Sequence, residues 1–134
     1  MSDILRSYIA GLFDGEGTIT LSYKHKNDLF RAPVSSMSST TFELLDLLKS
    51  SYRGTISKQK IYKEHHKQSW TWRLENDKCL KFINEILPFM HEPKKIRRAK
   101  FLLDNYKNVT RRNGRYKLEE VKAKKQFEEE FFKL

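Results

Sequence analysis

The alternation of hydrophobic and polar positions along this chain predicts helices and strands in the order α-ββ-α-ββ-α. The first helix is predicted over residues 4–13, and the short acidic side chain of Asp3 suits its N-cap. Its apolar positions recur at helical spacing: Ile4, Leu5, Tyr8, Ile9, Leu12 and Phe13. Most of the remaining circumference is small rather than polar, so the pattern predicts a helix buried on two sides.

Two pairs of strands follow from period-two alternation. Residues 18–26 and 29–37 predict the first hairpin, and Pro33 within the second strand indicates a bulge or an edge position. Residues 55–63 and 69–75 predict the second pair. In the last strand Trp70, Trp72 and Leu74 share one parity, which favours core packing over base stacking for the two tryptophans.

The helices between and after these strands have recognisable ends. Thr40 and Glu43 form a capping-box pattern that opens a helix ending near Ser50. Asn76 or Asp77 is suited to cap the next helix.

Proline residues mark the boundaries of the later helices. Pro88 stops the preceding helix, and Pro93 suits the first turn of the following one. Residues 117–132 predict a further helix with a weaker apolar pattern. We therefore expect one domain, 1–134, with a core over about 4–107 and a C-terminal helical appendage over about 108–134.

The charge balance predicts a polyanionic partner. The 134 residues carry a formal net charge of +10, which favours nucleic acid over small-molecule substrates, and no basic amphipathic helix indicates a membrane surface. Cys79 is the single cysteine, so a buried structural thiol is expected rather than a disulfide or a cysteine-based zinc site. No secretory signal pattern is visible, which predicts an intracellular protein; a phage, bacterial or organellar coding context all fit the composition.

Residues 9–17 carry the most specific signal in the chain. They read Ile-Ala-Gly-Leu-Phe-Asp-Gly-Glu-Gly and resemble the signature of the LAGLIDADG homing endonucleases. The identical positions are Ala10, Gly11, Leu12, Asp14 and Gly17. Gly15 replaces alanine, as is common in that family, and Glu16 replaces aspartate conservatively. The resemblance implies an α+β fold in which four antiparallel strands form a curved sheet in the DNA major groove, with helices packed behind.

Glu16 is the candidate metal ligand. Phosphodiester hydrolysis needs divalent cations, and Mg2+ prefers oxygen ligands while keeping several waters. The resemblance implies that Glu16 binds Mg2+ with help from the Gly15 carbonyl, and that Mn2+ or Ca2+ can substitute for binding. A solvated carboxylate in a glycine-rich turn is the alternative for Glu16. For Asp14, capping of the helix end is favoured over metal support.

Two further catalytic positions follow only from the resemblance. A basic residue near the scissile phosphate corresponds to Lys94 or Lys95, at the start of the helix after the Pro88-Phe89 segment, and the spacing does not decide between them. A polar residue at the end of the second strand corresponds to Ser38, or is absent.

The chain has one motif, whereas cutting both strands of a duplex needs two. This predicts a homodimer about the motif helix, as the resemblance also implies for single-motif members. Ser7, Gly11 and Gly15 stand four residues apart and predict a groove that allows close helix approach. The predicted interface comprises Ser7, Ala10, Gly11, Asp14 and Gly15.

The outward strand positions are the candidates for contacting double-stranded DNA. Lysine, arginine and small hydroxyl side chains can reach base edges in the major groove or hold phosphates. The set comprises Thr20, Ser22, Lys24, Lys26, Arg31, Ser35, Lys58, Lys60, Lys63, Lys67, Thr71 and Arg73.

Together these features predict a site-specific homing endonuclease. It would make double-strand cuts in a long pseudo-palindromic target by Mg2+-dependent hydrolysis. The alternative on the same fold is a non-cleaving nucleic-acid-binding protein, either a maturase that binds intron RNA or a DNA-binding regulator. The two share the basic sheet, so charge cannot separate them.

Overall fold

The computed structural model describes residues 1–61 and 63–134, and its helices and strands follow the predicted order α-ββ-α-ββ-α, with the predicted terminal helix present as the last of five. The elements are α1 (Asp3–Glu16), β1 (Gly17–Ser22), β2 (Ala32–Ser39), α2 (Phe42–Tyr52), β3 (Thr55–Lys58), β4 (Trp70–Glu75), α3 (Asn76–Ile86), α4 (Pro93–Asn105) and α5 (Leu118–Phe132). Short 3-10 helices follow α3 at Leu87–Phe89 and α4 at Lys107–Val109. No helix in the described ranges is long and apolar enough to cross a membrane.

The strands form one antiparallel sheet in the order β1-β2-β4-β3. The β1–β2 ladder runs from Gly17 opposite Met37 to Ser22 opposite Ala32. Pro33 lies in a central strand, but β4 pairs with β2 only from Val34 onward, so Pro33 has a neighbouring strand on one side only. The proline is therefore on an inner strand, just beyond the start of the β2–β4 ladder, and not on an edge strand; the predicted α+β class is confirmed.

An aromatic cluster joins the helices to the inner face of the sheet. The ring of Phe82 in α3 lies 5.2 Å from Phe13 of α1, 4.8 Å from Tyr52 of α2 and 5.2 Å from Trp72 of β4, measured between centroids. All three pairs are edge-to-face, a geometry that aromatic rings favour. The Trp72 indole donates to the Arg53 carbonyl at 2.7 Å, which satisfies its polar atom inside the core.

Two predicted strands are shorter than their sequence pattern. β1 ends at Ser22 and β3 ends at Lys58, rather than near residues 26 and 63. Lys24, Lys26, Lys60 and Lys63 therefore lie in connections and not on strands. Tyr62, within the predicted third strand, lies outside the described residues.

Three predicted helix caps are also wrong. Ser2, not Asp3, caps α1, and its hydroxyl accepts from the Leu5 amide at 3.2 Å. The capping box from Thr40 does not form, because Ser39 binds the Thr41 amide and α2 starts later, at Phe42. The N-cap of α3 is Glu75.

The C-terminal helix α5 belongs to the core and is not an appendage. Phe131 is fully buried and Phe127 nearly so, in the same cluster as the residues beneath the sheet. The ring of Phe127 stacks on Phe101 of α4 with centroids 5.2 Å apart. The weak apolar pattern of this helix arises because charged residues also occupy its buried face, namely Lys124 and Glu128.

We predict that Phe131→Ala lowers the free energy of unfolding by about 3–5 kcal/mol, because it leaves a cavity in the shared core. Leu118→Ala is the control in the same helix, since Leu118 is 70% exposed and should change stability by less than about 0.5 kcal/mol. Urea titration followed by circular dichroism measures both. Equal small effects would show that α5 is peripheral.

Candidate metal site and nucleic-acid interface

The motif places Glu16 at the junction of α1 and β1. Glu16 is the last residue of the helix and Gly17 the first of the strand, so no linker separates them. Gly17 is buried, and a Cβ there would overlap the Phe13 ring. The signature glycine is therefore needed for close packing at this junction, while the Glu16 side chain remains exposed.

Reciprocal hydrogen bonds join the end of α1 to the start of α4, and we call them the α1–α4 latch. The Asp14 carboxylate accepts from the main-chain amides of His91 at 2.9 Å and Glu92 at 3.1 Å. In return, the Lys95 ammonium donates to the carbonyls of Phe13 at 3.2 Å and Asp14 at 2.6 Å. Asp14 thus caps neighbouring backbone, and Lys95 stabilises the negative end of the helix dipole.

The latch distinguishes the two candidate lysines. Lys95 is half-buried with its ammonium bound to carbonyls, whereas Lys94 is exposed. Glu92 caps α4 by accepting from the amides of Lys95 at 2.6 Å and Lys94 at 3.3 Å. These backbone bonds, chiefly the one from Lys95, lower the pKa of the Glu92 carboxyl, which favours the ionised cap.

A cleft of about 330 Å³ opens between this part of α4 and the start of β1. Arg98 closes one side, donating to the Ile19 carbonyl at 2.7 Å with its guanidinium 4.9 Å from the Phe131 ring centre. Three cations and one acid line the cleft. The full lining is Gly17, Thr18, Ile19, Glu92, Lys94, Lys95 and Arg98. A cationic cleft beside Glu16 suits an anionic group such as a phosphate.

The candidate metal ligands are the Glu16 carboxylate and the Gly15 carbonyl. Within residues 1–61 and 63–134, no group of three His, Cys, Asp or Glu side chains comes together. The Glu16 carboxylate and the Gly15 carbonyl at the exposed helix end are nevertheless oxygen donors of the kind that Mg2+ prefers. Both lie at the negative end of the α1 dipole, which favours a cation. The residues therefore fit a half-site completed by water, phosphate and a second carboxylate.

One face of α1 is exposed to solvent among the described residues. We define the exposed α1 face as Ile4, Ser7, Tyr8, Gly11 and Gly15. Ile4 is 85% and Tyr8 52% exposed, and a Cβ added at Gly11 or Gly15 would meet nothing within 4 Å. The predicted core stripe is therefore wrong at Ile4 and Tyr8.

The predicted dimer interface needs one correction. Ala10 is 0% exposed and packs in the core of its own chain, so it cannot meet a partner. Asp14 is half-buried, with both carboxylate oxygens directed at the segment before α4. Ser7, Gly11 and Gly15 are exposed together as expected from their spacing.

The sheet has a helix-covered inner face and a hydroxyl-rich outer face. Ile19, Met37, Trp72 and Leu74 point inward, and Trp70 packs beside them, so both tryptophans belong to the core. By register, the outer face carries Thr18, Thr20, Ser22, Ala32, Val34, Ser36, Ser38, Thr55, Ser57, Thr71, Arg73 and Glu75. Of the predicted DNA contacts, Thr20, Ser22, Thr71 and Arg73 lie on this face.

Two predicted DNA contacts lie on the wrong face of the sheet. Ser35 is 0% exposed on the inner face and its hydroxyl lies 3.1 Å from the Cys79 sulfur, so it cannot reach DNA. Burial raises the pKa of the Cys79 thiol to about 12, which fits the structural role expected of it. Lys58 lies opposite Trp70 and shares the inner-face parity of Ile56, although its own side chain is exposed.

The remaining basic candidates divide into exposed and engaged side chains. Arg31 is engaged, because its guanidinium forms a 2.8 Å ion pair with the buried Glu128 of α5. Lys24, Lys26, Lys60, Lys63 and Lys67 are exposed in the connections that flank the sheet.

A hydrogen-bonded group on the outer face includes Gln59, which the sequence analysis missed. The Gln59 amide nitrogen donates to the Thr71 hydroxyl at 2.5 Å, and that hydroxyl lies 2.6 Å from the Ser38 hydroxyl. Gln59 follows β3 with the parity of Ser57, a signal that was obscured by the imperfect alternation beyond Lys58. Ser38 is therefore positioned on the outer face, with Thr71 as its partner.

Comparison with solved structures identifies the fold. An archaeal intron-encoded homing endonuclease complexed with DNA, I-Vdi141I, is 19% identical with a TM-score of 0.62, covering 98% of this chain and 84% of its own. The homing endonuclease I-TnaI is 15% identical with a TM-score of 0.56, over 94% and 97% of the two chains. I-CvuI, in complex with its target in the presence of Ca, is 15% identical with a TM-score of 0.54, over 92% and 94%.

No family model matches the chain, and no curated protein matches it by sequence. The likeness is therefore one of structure together with the motif at residues 9–17. The chain has the fold of the LAGLIDADG homing endonucleases.

We predict that Lys95→Met lowers the free energy of unfolding by about 1–3 kcal/mol, because it removes two charge-assisted hydrogen bonds from the latch. Lys94→Met is the matched control and should leave stability unchanged, since that ammonium is exposed. Urea unfolding of both variants measures the difference. Loss of stability in both, or in neither, would contradict the assignment of Lys95 to the latch.

Proposed function

We propose that this protein is a Mg2+-dependent, site-specific double-strand DNA endonuclease that acts as a homodimer. The observation that carries the proposal is the position of Glu16. This exposed carboxylate lies where the exposed α1 face ends and the outer face of the sheet begins. A second copy on the α1 face and DNA on the outer face would therefore meet at Glu16.

The outer face supports duplex DNA as the substrate. Its hydroxyl side chains and Gln59 can donate to and accept from base edges in the major groove, as can Arg73, whose guanidinium is paired with Glu75 on the same face at 2.7 Å. Exposed lysines in the flanking connections can neutralise phosphates, in keeping with the net charge of +10. Solved homing endonucleases of this fold, I-Vdi141I among them, are complexed with DNA.

The exposed α1 face supports a homodimer. Gly11 and Gly15 offer backbone to a partner helix at close range, while Ile4 and Tyr8 supply apolar area that is otherwise left in water. Two-fold pairing through this face would bring two Glu16 carboxylates together, one for each DNA strand. The same symmetry predicts a pseudo-palindromic target.

The chemistry proposed is in-line hydrolysis without a covalent enzyme intermediate. Bound Mg2+ would supply an activated water and stabilise the leaving oxygen. Glu16 and the Gly15 carbonyl would hold the ion, Lys94 would contact the phosphate, and Lys95 would fix the helix end that carries both ligands. I-CvuI has been studied with Ca and with Mg, which supports a divalent cation at such a site.

A non-cleaving maturase or DNA-binding regulator would use the same outer face. The exposed carboxylate at Glu16 favours cleavage, since a negative charge next to phosphate weakens simple binding. Intron RNA as a partner and an intron-encoded origin stay open predictions. Charge and fold do not distinguish the two classes of protein, so a cleavage assay is needed to separate them.

We predict that Glu16→Gln lowers the cleavage rate at least about 100-fold while duplex binding is retained, because a carboxylate ligand is lost. The assay uses duplexes enriched by binding from a random library, with Mg2+ and with EDTA. Glu43→Gln removes the same charge from α2, behind the sheet, and should cut at the wild-type rate.

The wild type is the decisive control in this experiment. If it binds the enriched duplexes tightly but cuts none of them with Mg2+ or Mn2+, the protein is a binder and the endonuclease proposal fails. If Glu16→Gln cuts as fast as the wild type, Glu16 is not the metal ligand.

We predict that Gly11→Leu converts the dimer to a folded monomer. The exposed position accepts a side chain within the chain itself, and leucine favours helix by about 0.8 kcal/mol over glycine, so the fold should survive. A partner helix at close range would be displaced. Sedimentation velocity measures the change, with Lys122→Leu on exposed α5 surface as the control. A wild type that sediments as a monomer on DNA would refute the proposed interface.

A further inference from the structure

Two basic segments that are remote in sequence lie together at the end of the sheet farthest from Glu16. One is the β1–β2 connection, residues 23–31, and the other is the loop at residues 110–117. The β1 strand is six residues long and rises about 3.3 Å per residue, so this end lies about 17 Å from the motif. Exposed cations are carried by both segments: Lys24, Lys26, Arg112 and Arg115.

An aromatic contact and a buried lysine fasten the segments to each other. The rings of Phe30 and Tyr116 lie 4.7 Å apart between centroids. Lys124 of α5 is 3% exposed, and its ammonium donates to the Thr110 hydroxyl at 3.1 Å and the Tyr116 hydroxyl at 3.0 Å. The same ammonium lies 4.8 Å from the centre of the Phe30 ring, a cation–π distance. One desolvated cation thus contacts both segments.

A second contact from α5 fixes the start of β2. Glu128 is 2% exposed, and its carboxylate accepts from the Arg31 side chain at 2.8 Å and the Arg31 amide at 3.2 Å. Buried charges of this kind are costly unless fully paired, so they hold a definite geometry. Nothing in the proposed hydrolysis uses Lys124 or Glu128. Their hydrogen bonds and ion pair go to these two segments, and the Lys124 ammonium also lies 5.1 Å from the centre of the Tyr106 ring at the end of α4.

The loop at 110–117 presents its free charges beside the end of β4. Arg111 is paired with Glu120 at 3.1 Å. Arg112 lines an open cleft of about 540 Å³ together with Asn76, Asp77 and Lys107. Asn76 directly follows β4, so this cleft borders the sheet. The basic segments are therefore continuous with the sheet that is proposed to bind DNA.

We propose that residues 23–31 and 110–117 form one phosphate-binding surface, the distal basic surface, which holds the DNA backbone outside the part of the target read by the sheet. Lys124 and Glu128 are its positioning residues. The surface matches duplex DNA because exposed cations on a rigid frame suit the regular spacing of phosphates. The inference rests on the proposed DNA-binding function.

The first test is the double variant Arg112→Ala/Arg115→Ala, measured for duplex affinity as a function of salt. Each lost phosphate contact should reduce the salt slope by about one per protomer. The loss of affinity should appear on a long duplex and disappear on a duplex trimmed to the region that the sheet covers. Phosphate-ethylation interference should lose outer positions and keep central ones. Lys49→Ala/Lys81→Ala removes equal charge from exposed positions on α2 and α3 and should leave the slope unchanged.

The second test asks whether removing a buried negative charge strengthens or weakens DNA binding. Glu128→Gln removes a negative charge, so simple electrostatics predicts tighter DNA binding. Loss of positioning predicts the opposite: weaker binding on the long duplex, with faster amide exchange in residues 23–31. Glu129→Gln is the matched control, since it is the exposed neighbour on the same helix and should not weaken binding.

The outcomes separate this inference from the proposed function. If the wild type binds no duplex DNA, the proposed function itself fails. If it binds but Arg112→Ala/Arg115→Ala keeps the wild-type slope and footprint, only the distal basic surface is refuted. Tighter binding by Glu128→Gln would remove the positioning role while leaving the arginine result to stand alone.

Discussion

The α1–α4 latch is the interaction on which the site depends. Asp14 binds the amides of His91 and Glu92, and Lys95 binds the carbonyls of Phe13 and Asp14, so each helix end satisfies the polar groups of the other. Unpaired helix ends at this position would be costly in a half-buried environment. By meeting that requirement within the chain, the latch leaves Glu16 and Gly15 free at the exposed surface.

The molecule keeps its packed core apart from the surface that is proposed to bind DNA. Phe82 and its aromatic neighbours hold three helices against the inner face, while the outer face carries mainly small hydroxyl side chains together with Arg73 and Glu75. Buried charge is concentrated in α5, away from both the motif and the outer face. Recognition can therefore vary without disturbing the packing that positions the site.

The sequence predicted the order of elements and the motif junction, because periodicity and the glycine pattern are local. It failed where long-range contacts decide the outcome. Ser35 is polar, which suggests an exposed side chain, but its register with Ile19 and Leu74 places it on the inner face. The roles of Lys94 and Lys95 depend on a partner carbonyl about eighty residues away. The core role of α5 was hidden because Lys124 and Glu128 look like surface residues until their partners are known.

The absence of a linker between Glu16 and Gly17 has a further consequence. In many enzymes, binding and chemistry are joined through loops whose motion changes their separation. Here Glu16, the candidate metal ligand, is followed directly by Gly17, the first residue of β1. Gly17 packs against the ring of Phe13. In the proposed endonuclease, the distance between the bases contacted by the sheet and the phosphate at Glu16 would therefore be set by covalent geometry.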